Sequence, residues 1–291
     1  MNIGQEMLSA ASAAPRLLRD ASQRVVEFVC SQAALDGGFR GRGAGSDLYY
    51  TVFGLECLRA LGAPADERSL TAYAHAFLDG EGLDLVHLAC LARLWARLGA
   101  APPEVRRGVA RRLRGFRSQD GGFGERQGMA WGSAYAAFLA LGACQDLGYP
   151  VGDAESLAAA IGGLKADDGS YGNVPGTPSG STPSTAAAMV TLRHLQAPVD
   201  PLAGAWLLAR SQPAGGFLAV AGAPLPDLLS TATALHALRG LGISLAALRE
   251  PCLAFLDTLW SPRGAFRGTW ADNTLDCEYT YYGLLALGNL A

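Results

Sequence analysis

Two acidic residues near the end of the chain lie close enough in sequence to act as a pair. Asp276 and Glu278 belong to the stretch Asp276-Cys277-Glu278-Tyr279-Thr280, directly before the last apolar segment. A carboxyl group that is buried beside a second carboxylate has a raised pKa and keeps its proton near neutral pH. Such a group can transfer that proton to a substrate as a general acid. This pair is therefore a candidate for acid chemistry.

Aspartates stand at the same position before three other apolar segments, at Asp47, Asp84 and Asp227. Aspartate is a favoured helix N-cap, worth roughly 0.5–2 kcal/mol, so capping alone accounts for all three. Carboxylate oxygens are also ligands for Mg²⁺, so an arc of these residues would suit an ion that accompanies a diphosphate. Both interpretations stay open, and Asp47 and Asp227 are kept with the pair as candidate catalytic residues.

The composition excludes several classes of protein. The 291 residues include 23 basic and 26 acidic ones, so there is no basic excess of the kind that nucleic-acid binding needs. The six cysteines are scattered without a CxxC pair, which argues against a disulfide framework or a zinc knuckle. Neither a membrane-spanning run nor a signal peptide is predicted. We expect a soluble cytoplasmic protein.

A repeated Gly-Gly-aromatic block organises the chain. It occurs in residues 36–39 and 119–124, in a degenerate form in 168–172, and again in 215–217 and 264–266. Apolar segments rich in small residues alternate with these blocks and begin 37 to 51 residues apart, close to the roughly 20–50 residues typical of repeat proteins. Six such segments begin at Asp47, Asp84, Ala130, Ser181, Asp227 and Asp276.

These repeats predict paired helices. The six segments are apolar nearly all round, as buried helices are. Amphipathic segments alternate with them near 14–33, 67–79, 102–118, 153–166, 201–212 and 244–260. An open solenoid would leave one polar concave face, which these buried helices do not offer. We therefore expect an all-α fold, an (α/α)6 toroid of six helical hairpins, in a single domain over residues 1–291.

The blocks and the helices that start with D-x-x-x-T resemble the repeats of protein prenyltransferase β subunits. The stretch QDGGFGE, residues 119–125, is similar to the repeats of squalene–hopene and other terpene cyclases. The resemblance covers all six repeats and implies inner helices that surround an apolar funnel for a lipophilic isoprenoid or polyene substrate. The expected substrate-binding residues are Tyr49, Tyr50, Phe53, His87, Trp131, Tyr135, Tyr279 and Tyr282.

The resemblance to terpene cyclases implies a role for the acid pair. Their D-x-D-D-T motif is matched by Asp276 and Thr280, and Glu278 falls at the middle acid, which donates the proton in that family. Tyr279 replaces the final aspartate of the motif. We therefore expect a cyclase or isomerase that protonates its substrate, with Glu278 as the donor and Asp276 assisting it.

Two alternatives come from the same resemblance. A diverged prenyltransferase-like protein would use an isoprenoid diphosphate, but the zinc-ligand positions after Asp227 hold Leu229 and Tyr279. We therefore expect no zinc and no other cofactor, with Mg²⁺ left open. A non-catalytic toroid that binds a lipid or a partner is the second alternative, with the arginine-rich segment 106–117 facing a partner or an anionic membrane. A homodimer or a partner subunit is also left open.

Overall fold

The computed structural model describes residues 1–99 and 101–291, and its regular structure is almost entirely helical. The helices are α1 (Ile3–Ala11), α2 (Pro15–Leu18), α3 (Ala21–Ser31), α4 (Leu48–Ala60), α5 (Glu67–His75), α6 (Leu85–Leu98), α7 (Pro103–Arg114), α8 (Ala134–Leu147), α9 (Ala154–Gly162), α10 (Thr182–His194), α11 (Pro201–Leu208), α12 (Leu228–Gly240), α13 (Ala246–Leu259) and α14 (Cys277–Leu290). Three antiparallel pairs of two-residue strands are also present. They join β1 (Phe39–Arg40) with β2 (Ser46–Asp47), β3 (Phe217–Leu218) with β4 (Pro226–Asp227), and β5 (Trp260–Ser261) with β6 (Ala265–Phe266).

The apolar helices begin where capping residues allow them to. Helices α4, α6, α10, α12 and α14 each start one residue after the first residue of a predicted apolar segment. Helix α8 starts at Ala134, four residues later than its segment, because the preceding residues are held by the Gly-Gly-aromatic block. The Gly132 amide donates to Asp120 and the Ser133 amide to the Phe123 carbonyl, so Ser133 becomes the cap.

The amphipathic segments also form helices, with two differences from the sequence prediction. The segment predicted over 14–33 is divided into α2 and α3, with Arg19 between them at a φ of 50°. Helix α1 is not predicted, because its nine residues lie before the first segment of the repeat pattern. Its Ile3 and Ala11 are fully buried, so tertiary packing stabilises this short helix.

Two compact units make up the described chain. The first unit, Met1–Gly4 with Leu70–Trp206, places α8 between α6 and α10. The second unit, Gln5–Ser69 with Leu207–Ala291, places α14 between α12 and α4. In both units the central helix is apolar on all sides because a neighbouring helix covers each flank.

The D-x-x-x-T pattern has a structural explanation. The Thr51 hydroxyl donates to the Asp47 carbonyl at 2.7 Å and accepts the Phe39 amide at 2.9 Å. Thr231 makes the equivalent bonds to Asp227 and Phe217, at 2.7 and 2.9 Å. The threonine thus ties the aromatic residue of these two blocks to the first turn of the following helix. A threonine four residues after an aspartate therefore has a structural role in these repeats.

The arginine-rich helix α7 is partly bound within the first unit. Arg112 pairs with Asp79 at 2.8 Å, and Arg106 donates to the Leu147 carbonyl at 2.6 Å. These two side chains are engaged inside the unit, and contact of the helix with a partner or a membrane stays a prediction. In the described residues, none of the helices combines the length and the apolar character that crossing a bilayer requires.

Candidate functional site

The acid pair lies in the second unit, at the first turn of α14. Asp276 is the N-cap: its Oδ1 accepts the Tyr279 amide at 2.8 Å, and the residue is only 2% exposed. Burial raises the pKa of this carboxyl group, although the bonds from the Tyr279 amide and from Arg42 act in the opposite direction. Asp276 is therefore a structural cap and a buried acid at once.

Arg42 supplies a cation to this buried acid, and the sequence analysis did not identify it. It lies in the glycine-rich turn between β1 and β2, and its Nε donates to Asp276 Oδ2 at 3.1 Å. Its guanidinium group also stands 5.3 Å from the centre of the Tyr279 ring, within the range of a cation–π contact. No periodic signal in the sequence indicates this contact, because 234 residues separate the two partners.

Glu278 faces a different partner. Its Oε1 accepts a hydrogen bond from the Tyr49 hydroxyl at 2.7 Å, which brings the first turns of α14 and α4 together. Burial is the largest influence on this glutamate and raises its pKa, and the negative charge of Asp276 adds to the increase. The bond from Tyr49 and the charge of Arg42 lower it, but the net shift is upward. Glu278 is thus a half-buried carboxyl group whose surroundings raise its pKa.

Aromatic rings of the second unit surround the Tyr49–Glu278 contact. The Tyr49 ring meets Phe53 edge to face at 4.9 Å, and Phe53 lies 5.6 Å from both Tyr281 and Tyr282. Tyr49, Phe53 and Tyr282 are half-buried, whereas Tyr281 is buried. Several predicted substrate-binding side chains therefore lie together, next to the candidate acid.

Tyr50 and Tyr279 occupy equivalent positions, each the third residue after a capping aspartate. Their rings lie against Gly41 and Gly268, where a Cβ atom would overlap them. Burial raises the pKa of Tyr50 to about 12. Each ring therefore packs against the turn that precedes its helix. The part of both residues in substrate binding stays a prediction.

Asp47 and Asp227 act as helix caps. Asp47 accepts the amides of Tyr49 and Tyr50, and both oxygens of Asp227 bind Ser230, each at 2.7 Å. Over residues 1–99 and 101–291 there is no group of three histidine, cysteine or acidic side chains placed to hold a metal ion. Capping explains the geometry of both aspartates, and their catalytic role stays a prediction.

The other predicted substrate-binding residues lie in the first unit. His87 Nδ1 is 2.8 Å from Oδ1 of Asp84, which also caps α6. Trp131 is 45% exposed, and the Tyr135 amide donates to Asn173 Oδ1 at 3.2 Å. The structure thus brings together Asp276, Glu278, Tyr49, Phe53 and Tyr282 in the second unit. His87, Trp131 and Tyr135 belong to the first unit, and their part in substrate binding stays a prediction.

Solved structures with the same fold include enzymes of isoprenoid chemistry. The type II terpene cyclase MstE from Scytonema, in complex with merosterolic acid A, has a TM-score of 0.65 at 15% identity, over 95% of this chain and 97% of the cyclase. The complex of MstE with geranylgeranyl dihydroxybenzoate gives 0.64 at 14%, with the same coverage. Candida albicans protein geranylgeranyltransferase-I, complexed with GGPP, gives 0.67 at 16%, over 92% of this chain and 90% of the transferase.

Such low identities establish the fold alone. A comparison with curated protein sequences finds no match. The model of the prenyltransferase alpha-alpha toroid domain matches residues 4–80, 86–203 and 185–290, which together span nearly the whole chain. This match and the solved structures confirm the all-α toroid class predicted from the repeats, of the kind found in terpene cyclases and prenyltransferases. The chain therefore belongs to the prenyltransferase alpha-alpha toroid domain family.

Proposed function

We propose that this protein is a terpene or polyene cyclase or isomerase that starts its reaction by transferring a proton from Glu278 to a carbon–carbon double bond. The observation that carries the proposal is the position of Glu278, half-buried beside aromatic rings, with its Oε1 bonded to Tyr49. An alkene is a weak base, so its protonation needs an acid that is still protonated when the substrate arrives. Burial raises the pKa of Glu278, a change in the direction of that requirement.

The proton transfer follows from this geometry. The π electrons of the terminal double bond form a new C–H bond with the proton of Glu278, and the O–H electron pair stays on the carboxylate. The next double bond of the substrate attacks the resulting cation and closes a ring. Loss of a proton from the final cation to water gives a product with the mass of the substrate, and the carboxylate regains a proton from solvent.

Neighbouring side chains would assist two parts of this step. The Tyr49 hydroxyl, already bonded to Glu278 Oε1, stabilises the carboxylate that forms as the proton leaves. The faces of the Phe53 and Tyr282 rings carry partial negative charge and would stabilise a cation placed against them, as in other cation–π contacts. The step needs no metal or other cofactor.

The substrate class is supported by the related structures. MstE is described with geranylgeranyl dihydroxybenzoate and with merosterolic acid A, and the transferase with GGPP. A lipophilic isoprenoid is therefore the substrate class we propose here. Prenyl transfer is disfavoured because Leu229 and Tyr279 stand at the positions where a prenyltransferase would ligate zinc, and Tyr279 instead lies under Arg42.

Product analysis by mass spectrometry tests the proposal. The purified protein is incubated with farnesyl and geranylgeranyl diphosphates and with non-phosphorylated polyenes, in EDTA or in Mg²⁺. We expect an isomeric product of unchanged substrate mass that forms in EDTA. Release of diphosphate that requires metal would contradict the proposal and favour the diphosphate-using alternative. Binding of these lipids without turnover would instead indicate a non-catalytic toroid.

Tyr49→Phe tests how the acid is tuned. Because the Tyr49 hydroxyl favours the charged form of Glu278, its removal should raise the pKa of Glu278 further and move the alkaline limb of the pH–rate profile to higher pH. A hydrogen bond to a charged group is worth about 1.5–3 kcal/mol, so turnover on the plateau should fall roughly ten- to a hundredfold. Tyr73→Phe, on α5, is the control. A Tyr49→Phe profile that coincides with the wild type would show that the bond does not tune the acid.

A further inference from the structure

We propose that Arg42 is a positioning residue that holds the negative charge of the acid pair on Asp276 and thereby leaves the transferable proton on Glu278. The inference rests on the proposed function of Glu278. It adds a cation, absent from the sequence analysis, that distinguishes the two acids of the pair.

The hydrogen bonds of Asp276 suit a carboxylate. Its Oδ1 accepts the Tyr279 amide at 2.8 Å, and its Oδ2 accepts Arg42 Nε at 3.1 Å. Both partners are N–H donors, and hydrogen bonds of this kind favour the charged form of the carboxyl group that accepts them. An ionised carboxylate that is only 2% exposed needs a counter-charge, because burying an unpaired charge is costly. Arg42 provides that charge.

Glu278 is in the opposite situation. The Tyr49 hydroxyl bonds to its Oε1 at 2.7 Å, so Oε2 can carry the proton without breaking that contact. The charge on Asp276 makes ionisation of Glu278 less favourable, as two neighbouring carboxylates do not both ionise easily. A charge held on Asp276 therefore favours the protonated form of Glu278.

The position of Arg42 follows from the repeat architecture. After two of the blocks, the next residues contact the first turn of the preceding apolar helix. Asn173 Oδ1 accepts the Tyr135 amide of α8 at 3.2 Å, and the Gly268 carbonyl accepts the Leu228 amide of α12 at 2.9 Å. Arg42, which follows the first block, makes a similar contact with the cap of α14, the last apolar helix of the chain, and uses a charged side chain for it. Its side chain is 45% exposed, and its guanidinium lies over the Tyr279 ring as well as against Asp276.

Other titratable groups surround the pair, and Arg42 is the cation that faces it. Asp272 raises the pKa of Asp276, whereas Arg42 lowers the pKa values of both acids. The remaining titratable neighbours are three tyrosines, two cysteines and one capping aspartate, namely Tyr49, Tyr50, Tyr279, Cys57, Cys277 and Asp47.

Arg42→Gln tests the assignment. Without the cation, the pKa values of both acids should rise, and Asp276 should compete with Glu278 for the proton. The alkaline limb of the pH–rate profile should therefore move to higher pH. Turnover near neutral pH should fall roughly ten- to a hundredfold, the loss expected for one charge-assisted hydrogen bond. Arg42→Lys keeps the charge and should restore much of the wild-type profile. Arg40→Gln removes the same charge from an exposed position two residues earlier and should leave the profile unchanged.

An infrared titration locates the proton without relying on turnover. Protonated carboxyl groups absorb separately from carboxylates, and difference spectra with Glu278→Gln and Asp276→Asn identify each band. In the wild type we expect a protonated band that Glu278→Gln removes. In Arg42→Gln we expect an additional band that disappears when Asp276→Asn is combined with it. If the band of Arg42→Gln still belongs to Glu278 alone and titrates as in the wild type, the assignment to Arg42 is wrong.

The two proposals fail in different ways. If no polyene is converted but the infrared bands respond to Arg42 as expected, the proposed function fails and the role of Arg42 stands. If the wild type makes product and Glu278→Gln does not, yet Arg42→Gln matches the wild type in both measurements, the role of Arg42 fails and the proposed function stands.

Discussion

Glu278→Gln is expected to abolish product formation, with kcat/KM falling by on the order of 10²–10⁴-fold, the range that a positioned general acid contributes. Glutamine keeps the size of the side chain and can still accept the hydrogen bond from Tyr49, but it has no acidic proton. Product is measured by mass spectrometry after incubation with the polyene panel. Glu250→Gln removes an exposed glutamate of α13 in the same unit and should leave turnover unchanged.

The same variant has a second readout that does not depend on finding the substrate. Because the folded-state pKa of Glu278 lies above its unfolded value, the contribution of this group to stability is present at low pH and is lost as the pH rises through the folded pKa. Glutamine has no such loss, so Glu278→Gln should gain stability relative to the wild type as the pH increases. Urea unfolding at a series of pH values measures this difference. Full turnover in the variant would remove Glu278 from the chemistry.

The sequence predicts the local parts of this site well. A capping aspartate, a following apolar helix and an acid two residues after the cap are all visible over a few residues, and the helix starts after Asp47, Asp227 and Asp276 lie where the pattern indicates. Short-range signals of this kind work because helix capping depends on the residues of one turn. They define elements and candidate residues, but not the partners of those residues.

The partners come from the tertiary arrangement of the repeats. Tyr49 and Glu278 are 229 residues apart, and Arg42 and Asp276 are 234 residues apart. The sequence places Tyr49 with the substrate-binding aromatics, whereas the structure shows it bonded to the candidate acid. Arg42 lies in a turn without hydrophobic periodicity. Its contact becomes visible only in the structure, where the turn of the first repeat meets the helix of the last.

The structure also changes the weight of the motif that suggested acid chemistry. The aspartate and threonine of the stretch Asp276–Thr280 recur elsewhere as structural ties, because the Thr280 hydroxyl donates to the Asp276 carbonyl just as Thr51 does to Asp47. The distinctive position is the one between them. Glu278 stands where the equivalent residues are Tyr49 and Leu229, so the proposed chemistry depends on that difference within the repeat.

Gly215→Ala is expected to give the largest loss of stability among simple substitutions in the Gly-Gly-aromatic blocks. Gly215 has a φ of 92°, and a Cβ atom there would overlap the backbone carbonyl of Pro251 in α13. A left-handed conformation costs a residue with a side chain about 1–2 kcal/mol, and forcing extra volume into a packed contact costs about 1–3 kcal/mol more. The free energy of unfolding in urea should therefore fall by roughly 2–5 kcal/mol.

Gly222→Ala is the matched control, because it separates backbone strain from packing. Gly222 lies in the same repeat at a φ of 78°, but a Cβ atom there meets nothing within 4 Å. This variant should lose only the conformational part, about 1–2 kcal/mol. Equal losses in the two variants would show that α13 moves away from the added methyl group at little cost in stability. A larger loss at Gly215, with turnover per folded molecule unchanged, would assign the blocks to helix packing and leave the chemistry to the first turn of α14.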